Sequence, residues 1–414
     1  MPEAISLETL MQNLQQKPNN ATIQQFCTNA IRVRFAAMDS APPRKQMERA
    51  VHAALAACEA HLEDSGVMVE TCALVAEALG GEPSLSKQAA LGVCISDDAT
   101  RILTEVLVQH VKIAKIVVLC CQCMDVMFAS MDKLKKERRV ATVSILLQAI
   151  AEHAHEPAVA LAACVSVATI LSEESSGAAG PAVTATVNET TGSHPLDLLV
   201  PVLRHQAVAK GKHVEKGLQV KGLAALAALA GFQEFRVHLV ANGAIEIPLL
   251  LAQRSTSDAD IAHGCIDVWT QLARCPEGQT AINQSGGIAL IVAIMKKHTA
   301  VLAHQLAGTA ALTVLADNDD NKLEVARAGG IEVLVSSAKA HQGSPELQTA
   351  VAEVFCILAL SERNRVLIGA KGGIAVLLDA ACKNGITEVR PIAGTALRRE
   401  DEQLAQHVPL PGLH

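Results

Sequence analysis

Three cysteines that lie close together are the residues best suited by type to metal or thiol chemistry. Cys120, Cys121 and Cys123 interrupt an apolar stretch that has helical periodicity. A structural zinc site needs four ligands that converge on one point, usually from Cys-x2-Cys pairs. Adjacent side chains on a helix point about 100° apart, so these thiols do not converge. The pattern predicts buried free thiols.

A second group with ligand chemistry is formed by His153 and His155, which alternate with Glu152 and Glu156. Side chains two residues apart diverge on a helix, so this group also predicts no metal site. For catalysis, the sequence contains no G-x-S-x-G elbow, no phosphate loop, no H-E-x-x-H and no dinucleotide fingerprint. We therefore predict a protein that is not an enzyme and that holds no cofactor and no metal.

Carboxylates offer a third kind of chemistry, the attraction of a basic segment. Asp260 and Asp267 are seven residues apart, which is two turns along one helix face. Glu346 and Glu353 have the same spacing later in the chain. Four carboxylates on one surface would attract a basic partner. The alternative interpretation is that they favour the helix dipole near a helix start and solvate a surface.

The charge balance bears on other classes of partner. The net charge is −7, aromatic residues are 2% of the chain and there is no Tyr. This composition disfavours a nucleic-acid binder, which needs a basic surface and aromatic stacking platforms. A basic run extends from Lys133 to Arg139. It has the character of a localisation signal or an anionic-partner patch, but a solvated loop or helix surface is the simpler interpretation.

The elements that must position these residues follow a repeat of 43 residues. A turn of two small residues and an isoleucine recurs at this step, and a Leu-Ala pair precedes each turn at the same step. The turns are Gly243–Ile245, Gly286–Ile288, Gly329–Ile331 and Gly372–Ile374. A fixed period of about 40–47 residues with helical patterning is typical of stacked helical repeats.

Each repeat is predicted to contain three helices. In the clearest repeat, the polar residues Asn318–Asn321 cap a short helix over Lys322–Ala328. Gly329-Gly330 then end that helix, because glycine tolerates positive φ. A second helix is predicted from Ile331 towards His341, and a third over Glu346–Leu360.

A short helix, a Gly-Gly-Ile turn, a second helix, a loop and a third helix that ends in Leu-Ala resemble the armadillo repeat. The resemblance extends over roughly Leu218–Glu400. It implies an all-α fold in which the helices form a right-handed α-α superhelix, an armadillo/HEAT-like solenoid. It also implies that the third helices line a concave surface that binds other proteins. The acidic residues described above would then lie on that surface.

Peptide-binding armadillo proteins carry an Asn just before the Leu-Ala position, and often a Trp one turn earlier. The Asn positions here hold Ala228, Gln271, Val314 and Ile357, and the Trp positions hold Ala224, Asp267, Ala310 and Glu353. The Asn ladder is therefore absent, and only Gln271 offers similar hydrogen bonds. Trp269 is two residues out of that phase and is predicted to be a core residue. The candidate protein-binding residues are Asp260, His263, Asp267, Gln271, Glu346 and Glu353.

The sequence divides into segments of different regularity. Residues 1–43 are predicted to form N-terminal helices, and residues 44–173 degenerate armadillo or HEAT-like repeats. Residues 174–194 are rich in Gly, Ser and Thr and are predicted to be a flexible loop insertion. Residues 195–400 are predicted to be regular armadillo repeats with a C-terminal cap, and residues 401–414 a tail.

The function predicted from these features is that of a non-catalytic scaffold or adaptor, which binds a basic protein segment on its concave surface. The alternatives are a structural part of a cytoskeletal or ciliary assembly, a transport receptor, and a small-GTPase regulator. No apolar run is long enough to predict a membrane span, and no secretory signal is evident. We expect a cytoplasmic location, with a nuclear or cytoskeleton-associated location left open, and the sequence leaves the oligomeric state open.

Overall fold

A computed structural model describes residues 6–36, 44–79, 97–129, 136–153, 155–172, 195–208 and 216–384. Within these ranges the chain forms helices and turns and no strand, which confirms the predicted all-α class. The helices are α1 (Leu7–Gln16), α2 (Ala21–Ala36), α3 (Arg44–Ala60), α4 (Ser65–Leu79), α5 (Asp97–His110), α6 (Ala114–Ala129), α7 (Lys136–Glu152), α8 (Pro157–Ser172), α9 (Pro195–Val208), α10 (Lys216–Ala230), α11 (Gln233–Ala241), α12 (Glu246–Ser255), α13 (Ala259–Leu272), α14 (Pro276–Gln284), α15 (Gly287–Lys297), α16 (Leu302–Leu315), α17 (Asp319–Arg327), α18 (Gly330–Ala340), α19 (Pro345–Leu358), α20 (Glu362–Ala370) and α21 (Gly373–Asn384).

Three segments with sequence-based predictions lie outside the described residues. They are the loop predicted over 174–194, the start of the basic run at 133–135, and the C-terminal region from 385 onward with the predicted cap and tail.

The described helices form two compact units. Helices α1–α8 and most of α9 and α10 belong to unit 1, and the chain from Leu229 through α21 belongs to unit 2. The acidic candidate residues are all in unit 2.

Unit 2 is built from the predicted group of three helices. The side chain of Asn318 accepts hydrogen bonds from the backbone amides of Asp320 and Asn321, and α17 begins at the next residue. Gly329 has a φ of 84°, a value that side chains with a Cβ rarely adopt, and it reverses the chain into α18. After a short turn the side chain of Ser344 caps α19. The three helices of this repeat are therefore those that the sequence predicted, although the first begins at Asp319 and not at Lys322.

The second glycine of each turn is needed for close packing. A Cβ atom at Gly287 would lie 2.7 Å from Cγ2 of Ile282, and the same relation holds in the two following repeats. The first repeat has Ala244 at this position, and the residue five places earlier is Leu239. Leucine is unbranched at Cβ, so it lacks the branching methyl group of Ile282, Val325 and Ile368 that excludes a Cβ in the other turns.

Like helices contact like helices throughout unit 2. The first helices α11, α14, α17 and α20 contact one another in that order. The second helices α12, α15, α18 and α21 do the same, and so do the third helices α13, α16 and α19. Trp269, Leu312 and Phe355 hold the same place on the third helices and are fully buried, as predicted for Trp269. Each repeat thus completes the core of its neighbour.

In two repeats of unit 2, a histidine just after the second helix bonds to the preceding repeat; we call this contact the histidine clasp. The Nε2 atom of His298 lies 2.7 Å from the carbonyl oxygen of Thr256, and that of His341 lies 2.7 Å from the carbonyl oxygen of Thr299. A carbonyl oxygen only accepts, so the imidazole N–H donates. Gln305 on α16 adds a contact within its own repeat, because its amide donates to the carbonyls of Met295 and His298.

Unit 1 contains the same clasp, although none of its described residues is a glycine with positive φ. The bonds join His61 to Pro18, His110 to Leu62 and His153 to Val111, at 2.6, 2.7 and 2.8 Å. The amide of Gln24 on α2 donates to the carbonyls of Leu14 and Lys17, with the sequence offsets seen for Gln305. These contacts give α1, α3, α5 and α7 the role of second helices, and α2, α4, α6 and α8 that of third helices.

The apolar character of several helices raises the question of membrane crossing. Among the described residues no single helix has both the length and the apolar composition that a span requires. One bent pair, Phe235–Ala241 with Glu246–Ser255, meets these criteria jointly.

Candidate functional site

The third helices of unit 2 carry all six candidate residues on the stripe that does not face the core. Asp260, Glu346 and Glu353 are exposed. His263, Asp267 and Gln271 on α13 are half-buried. Residues that are three, four and seven apart lie on one side of a helix. Asp260, His263 and Asp267 on α13 follow this spacing.

The structure separates the four carboxylates into two pairs. Helix α16 lies between α13 and α19 in the row of third helices, and its equivalent positions hold Ala303 and Ala310. Packed helix axes are about 8–10 Å apart, so the two acidic helices lie about 16–20 Å from each other. The surface of this row is therefore acidic on α13, apolar on α16 and acidic again on α19.

No positive side chain originates from this row of helices. Helices α13, α16 and α19 are described over their whole length, and they contain neither Lys nor Arg. The basic residues of the same repeats are on the first and second helices or in turns, as with Lys296, Lys322 and Arg363. The negative potential of the third helices is consequently not neutralised from within the row.

Asp267 is the carboxylate with the most unusual surroundings. Its Oδ2 atom lies 3.5 Å from Nε2 of His263, one helical turn away, and the two side chains are 44% and 41% exposed. Partial burial raises the pKa of the Asp267 carboxyl, and the neighbouring His263 and His304 act in the opposite direction. Asp267 therefore belongs to a small group of titratable side chains.

The centre of that group is His304 on α16, which the sequence did not single out. Its ring is stacked on that of His298, with centroids 4.8 Å apart, and tilted against that of His263, at 5.3 Å. Nε2 of His304 donates to the carbonyl oxygen of Ala259 at 2.9 Å. Burial lowers the pKa of His304. The hydrogen bond to the Ala259 carbonyl raises this pKa, whereas the nearby His298 and His263 lower it further.

A signal for these histidines was present in the sequence. His298 and His341 are one repeat apart, so their recurrence marks a structural position. His304 falls where the neighbouring repeats have Ile261 and Leu347, both buried. A polar residue at an otherwise apolar core position is the kind of exception that marks a site.

Several polar atoms of this stripe are buried without a hydrogen-bond partner among the described residues. They are Nδ1 of His263, Nδ1 of His304 and Oε1 of Gln271. The indole nitrogen of Trp269 is a fourth such atom, although it belongs to the core side of α13. Buried polar groups are normally paired, so this concentration distinguishes α13 and its contact with α16.

In unit 1, the cysteines considered above lie in the core, and His153 bonds to a backbone carbonyl. Cys120, Cys121 and Cys123 are fully buried, and burial raises the pKa of Cys121 to about 12. Sγ of Cys120 lies 3.6 Å from Sγ of Cys72. His153 makes the clasp described above. In the described part of the chain no three His, Cys, Asp or Glu side chains are arranged to hold a metal ion.

Comparison with known proteins gives no family. No family model and no curated protein matches this chain. Among solved structures, it is similar to the crystal structure of an engineered protein, a target of the Northeast Structural Genomics Consortium. The identity is 17%, the TM-score is 0.44, and the match covers 69% of this chain and 95% of the other. A likeness at this level carries no information about what this chain binds.

Proposed function

We propose that this protein is a non-catalytic scaffold or adaptor of the armadillo type, which binds a basic segment of another protein along the third helices of unit 2. The observation that carries the proposal is the charge of α13, α16 and α19. These helices contain no Lys or Arg, and four carboxylates hold matching positions on the outer two.

The proposed architecture is a right-handed α-α superhelix of the armadillo or HEAT kind. It is supported within each unit by the row-wise contacts of like helices and by the recurring histidine clasp. In such an architecture the third helices form the concave surface. A groove lined by charge of one sign raises the local concentration of an oppositely charged partner and accelerates its association.

The apolar side chains of α16 supply the second part of the recognition. Leu306, Ala307 and Val314 are partly exposed on this helix, between the two acidic helices. A partner segment would place basic residues over Asp260 and Asp267 and over Glu346 and Glu353, with an apolar residue between them. Affinity would then depend on salt only in part, since burial of apolar surface is insensitive to screening.

Affinity purification from native cells followed by mass spectrometry tests this proposal. The variant reverses the four carboxylates, as Asp260→Lys, Asp267→Lys, Glu346→Lys and Glu353→Lys. The matched control reverses four carboxylates on or directly before the first helices, as Glu277→Lys, Asp317→Lys, Asp320→Lys and Glu324→Lys. Both changes alter the net charge equally, and circular dichroism verifies that each variant is folded.

We expect a stoichiometric partner that is retained by the wild type and the control but lost from the third-helix variant. A partner list that is the same for all three proteins would contradict recognition by the third helices. Loss from both variants would show that overall charge, and not this surface, governs the association.

An exposed apolar row on the first helices favours a second candidate function, that of a structural part of a larger assembly. Val237, Leu323 and Val366 hold the same repeat position on α11, α17 and α20, and all three are exposed. Under this alternative the protein would sediment with a large assembly. Replacing these three residues by Ser would release it, whereas the four-carboxylate reversal on the third helices would not.

A further inference from the structure

The group formed by His263, Asp267 and His304 has the chemistry of a receptor for one particular side chain. We propose that these three residues form a guanidinium-binding subsite, which receives an arginine of the bound segment. The inference rests on the proposed function, because it names the residue by which a basic partner would be anchored.

In both imidazoles Nδ1 is the atom that can accept a hydrogen bond. Nε2 of His304 faces the carbonyl oxygen of Ala259 and therefore carries the hydrogen. In the neutral ring Nδ1 is then an acceptor. Nε2 of His263 faces the carboxylate of Asp267, which likewise favours the hydrogen on Nε2 and leaves Nδ1 as an acceptor.

Neither Nδ1 atom has a hydrogen-bond donor among the described residues. His304 is only 5% exposed, and its Nδ1 atom has no partner among the described residues. Nδ1 of His263 is also buried and unpartnered. A buried acceptor without a donor is unfavourable, so a ligand that brings several N–H groups at once would relieve both atoms.

His263, His304 and Asp267 lie close together at the contact between α13 and α16. The rings of His263 and His304 have centroids 5.3 Å apart and are inclined by 53°, and the carboxylate of Asp267 lies beside the first ring. The side chains of His263 and Asp267 are partly exposed and give access from solvent. The contact between α13 and α16 thus combines the partly exposed ring of His263, a negative charge and two unpartnered imidazole nitrogens.

Arginine fits this combination better than lysine does. Its planar guanidinium presents five N–H donors in a fixed fork, stacks on flat rings and is weakly hydrated. A lysine ammonium is a compact, strongly hydrated charge that cannot stack. The amide oxygen of Gln271, one turn beyond Asp267, is placed to accept from a group next to the arginine in the bound segment.

Titration with small blocked amino acids tests the subsite without knowledge of the partner. The probes are Nα-acetyl amides of arginine, lysine and citrulline, and the signals are the imidazole resonances of the protein in nuclear magnetic resonance spectra. We expect the arginine probe to shift the resonances of His263 and His304 and to bind at least about fivefold more tightly than the lysine probe. The citrulline probe, which is neutral, is expected to bind more weakly than either.

The variants exchange site residues for those that the next repeat already carries. His263→Leu and Asp267→Ala copy Leu306 and Ala310 of α16, so they are compatible with a third helix. The control Glu353→Ala removes a carboxylate at the same repeat position as Asp267, and Thr349 stands there in place of His263. Arginine preference that disappears in the first two variants and persists in the control would support the subsite.

Two other outcomes would overturn it in different ways. Equal binding of arginine and lysine, weakened alike by Asp267→Ala and Glu353→Ala, would leave an acidic binding surface and remove the guanidinium subsite. Failure of all probes to shift the imidazole resonances would remove the subsite as well. The affinity purification described above would still decide the proposed function independently.

Discussion

The imidazole of His341 donates to the carbonyl oxygen of Thr299, which stands one repeat earlier in the turn after α15, at 2.7 Å. His298 has the same relation to Thr256. Each histidine clasp satisfies a carbonyl that the end of a helix leaves without an intrahelical donor. The clasp therefore links neighbouring repeats through their backbones, independently of how well their side chains pack.

We expect His341→Phe to weaken unit 2 by about 1 kcal/mol, because the ring is kept while the Thr299 carbonyl loses its donor. Amide hydrogen exchange in α15 and α18 measures the effect. His52→Phe changes an exposed residue of α3 and is expected to alter stability by less than about 0.5 kcal/mol. Unchanged exchange in His341→Phe would mean that the clasp contributes nothing to repeat stacking.

Gly329→Ala is expected to destabilise unit 2 by about 1 kcal/mol, because Gly329 has a φ of 84° and an alanine is strained there. Gly343→Ala is the matched control, since it lies in a turn of the same repeat and a Cβ there would meet nothing within 4 Å. Thermal unfolding of both variants gives the comparison. Equal melting temperatures would show that the strain at Gly329 is relieved by local adjustment.

The turn before α15 allows a test of compensating substitutions. Gly287→Ala alone should cost about 1–3 kcal/mol, because the new Cβ would lie 2.7 Å from Cγ2 of Ile282. Adding Ile282→Leu reproduces the Leu239–Ala244 pair of an earlier repeat and should recover part of the loss. Chemical denaturation of the two single variants and the double variant measures the coupling. Strictly additive effects would contradict the steric explanation.

Asp125 on α6 predicts how the stability of unit 1 depends on pH. Burial raises its pKa from 3.8 to about 6, while a hydrogen bond from Ser166 and the charge of Lys221 act in the opposite direction. The folded state therefore binds the proton more tightly than the unfolded state. The ionised carboxyl of Asp125 therefore destabilises the folded state above about pH 6. This destabilisation is lost as the pH falls towards 4, because the carboxyl is then protonated.

Asp125→Asn removes the ionisation and keeps an oxygen that accepts from Ser166. We expect the variant to be more stable than the wild type by about 1–2 kcal/mol at pH 7.5, since solvent screens part of the burial effect. At pH 4 the difference should vanish. Melting curves at the two pH values test this, with Asp317→Asn as an exposed control. A gain that is the same at both pH values would mean that ionisation of Asp125 is not its cause.

The repeats of unit 2 were easier to recognise from the sequence than those of unit 1. The glycine turns before α15, α18 and α21 were visible because a positive φ restricts the residue type at one position. The described residues of unit 1 contain no glycine with positive φ, so its correspondence with unit 2 was recognised from the bonds of His61, His110, His153 and Gln24. The partner of each of these side chains is a backbone carbonyl, and a carbonyl leaves no trace in the residue types.

The sequence by itself determined the all-α class, the 43-residue period, the order of the helices in the clearest repeat and the shared positions of Asp260, Asp267, Glu346 and Glu353. These features depend on local backbone preference and on the spacing of apolar residues. Only the tertiary structure decided that an apolar helix separates the acidic pairs, and that His304 joins Asp267 and His263. Burial, ring contacts and unpartnered atoms arise where different helices meet, and their physical effects depend on distances that a linear pattern does not contain.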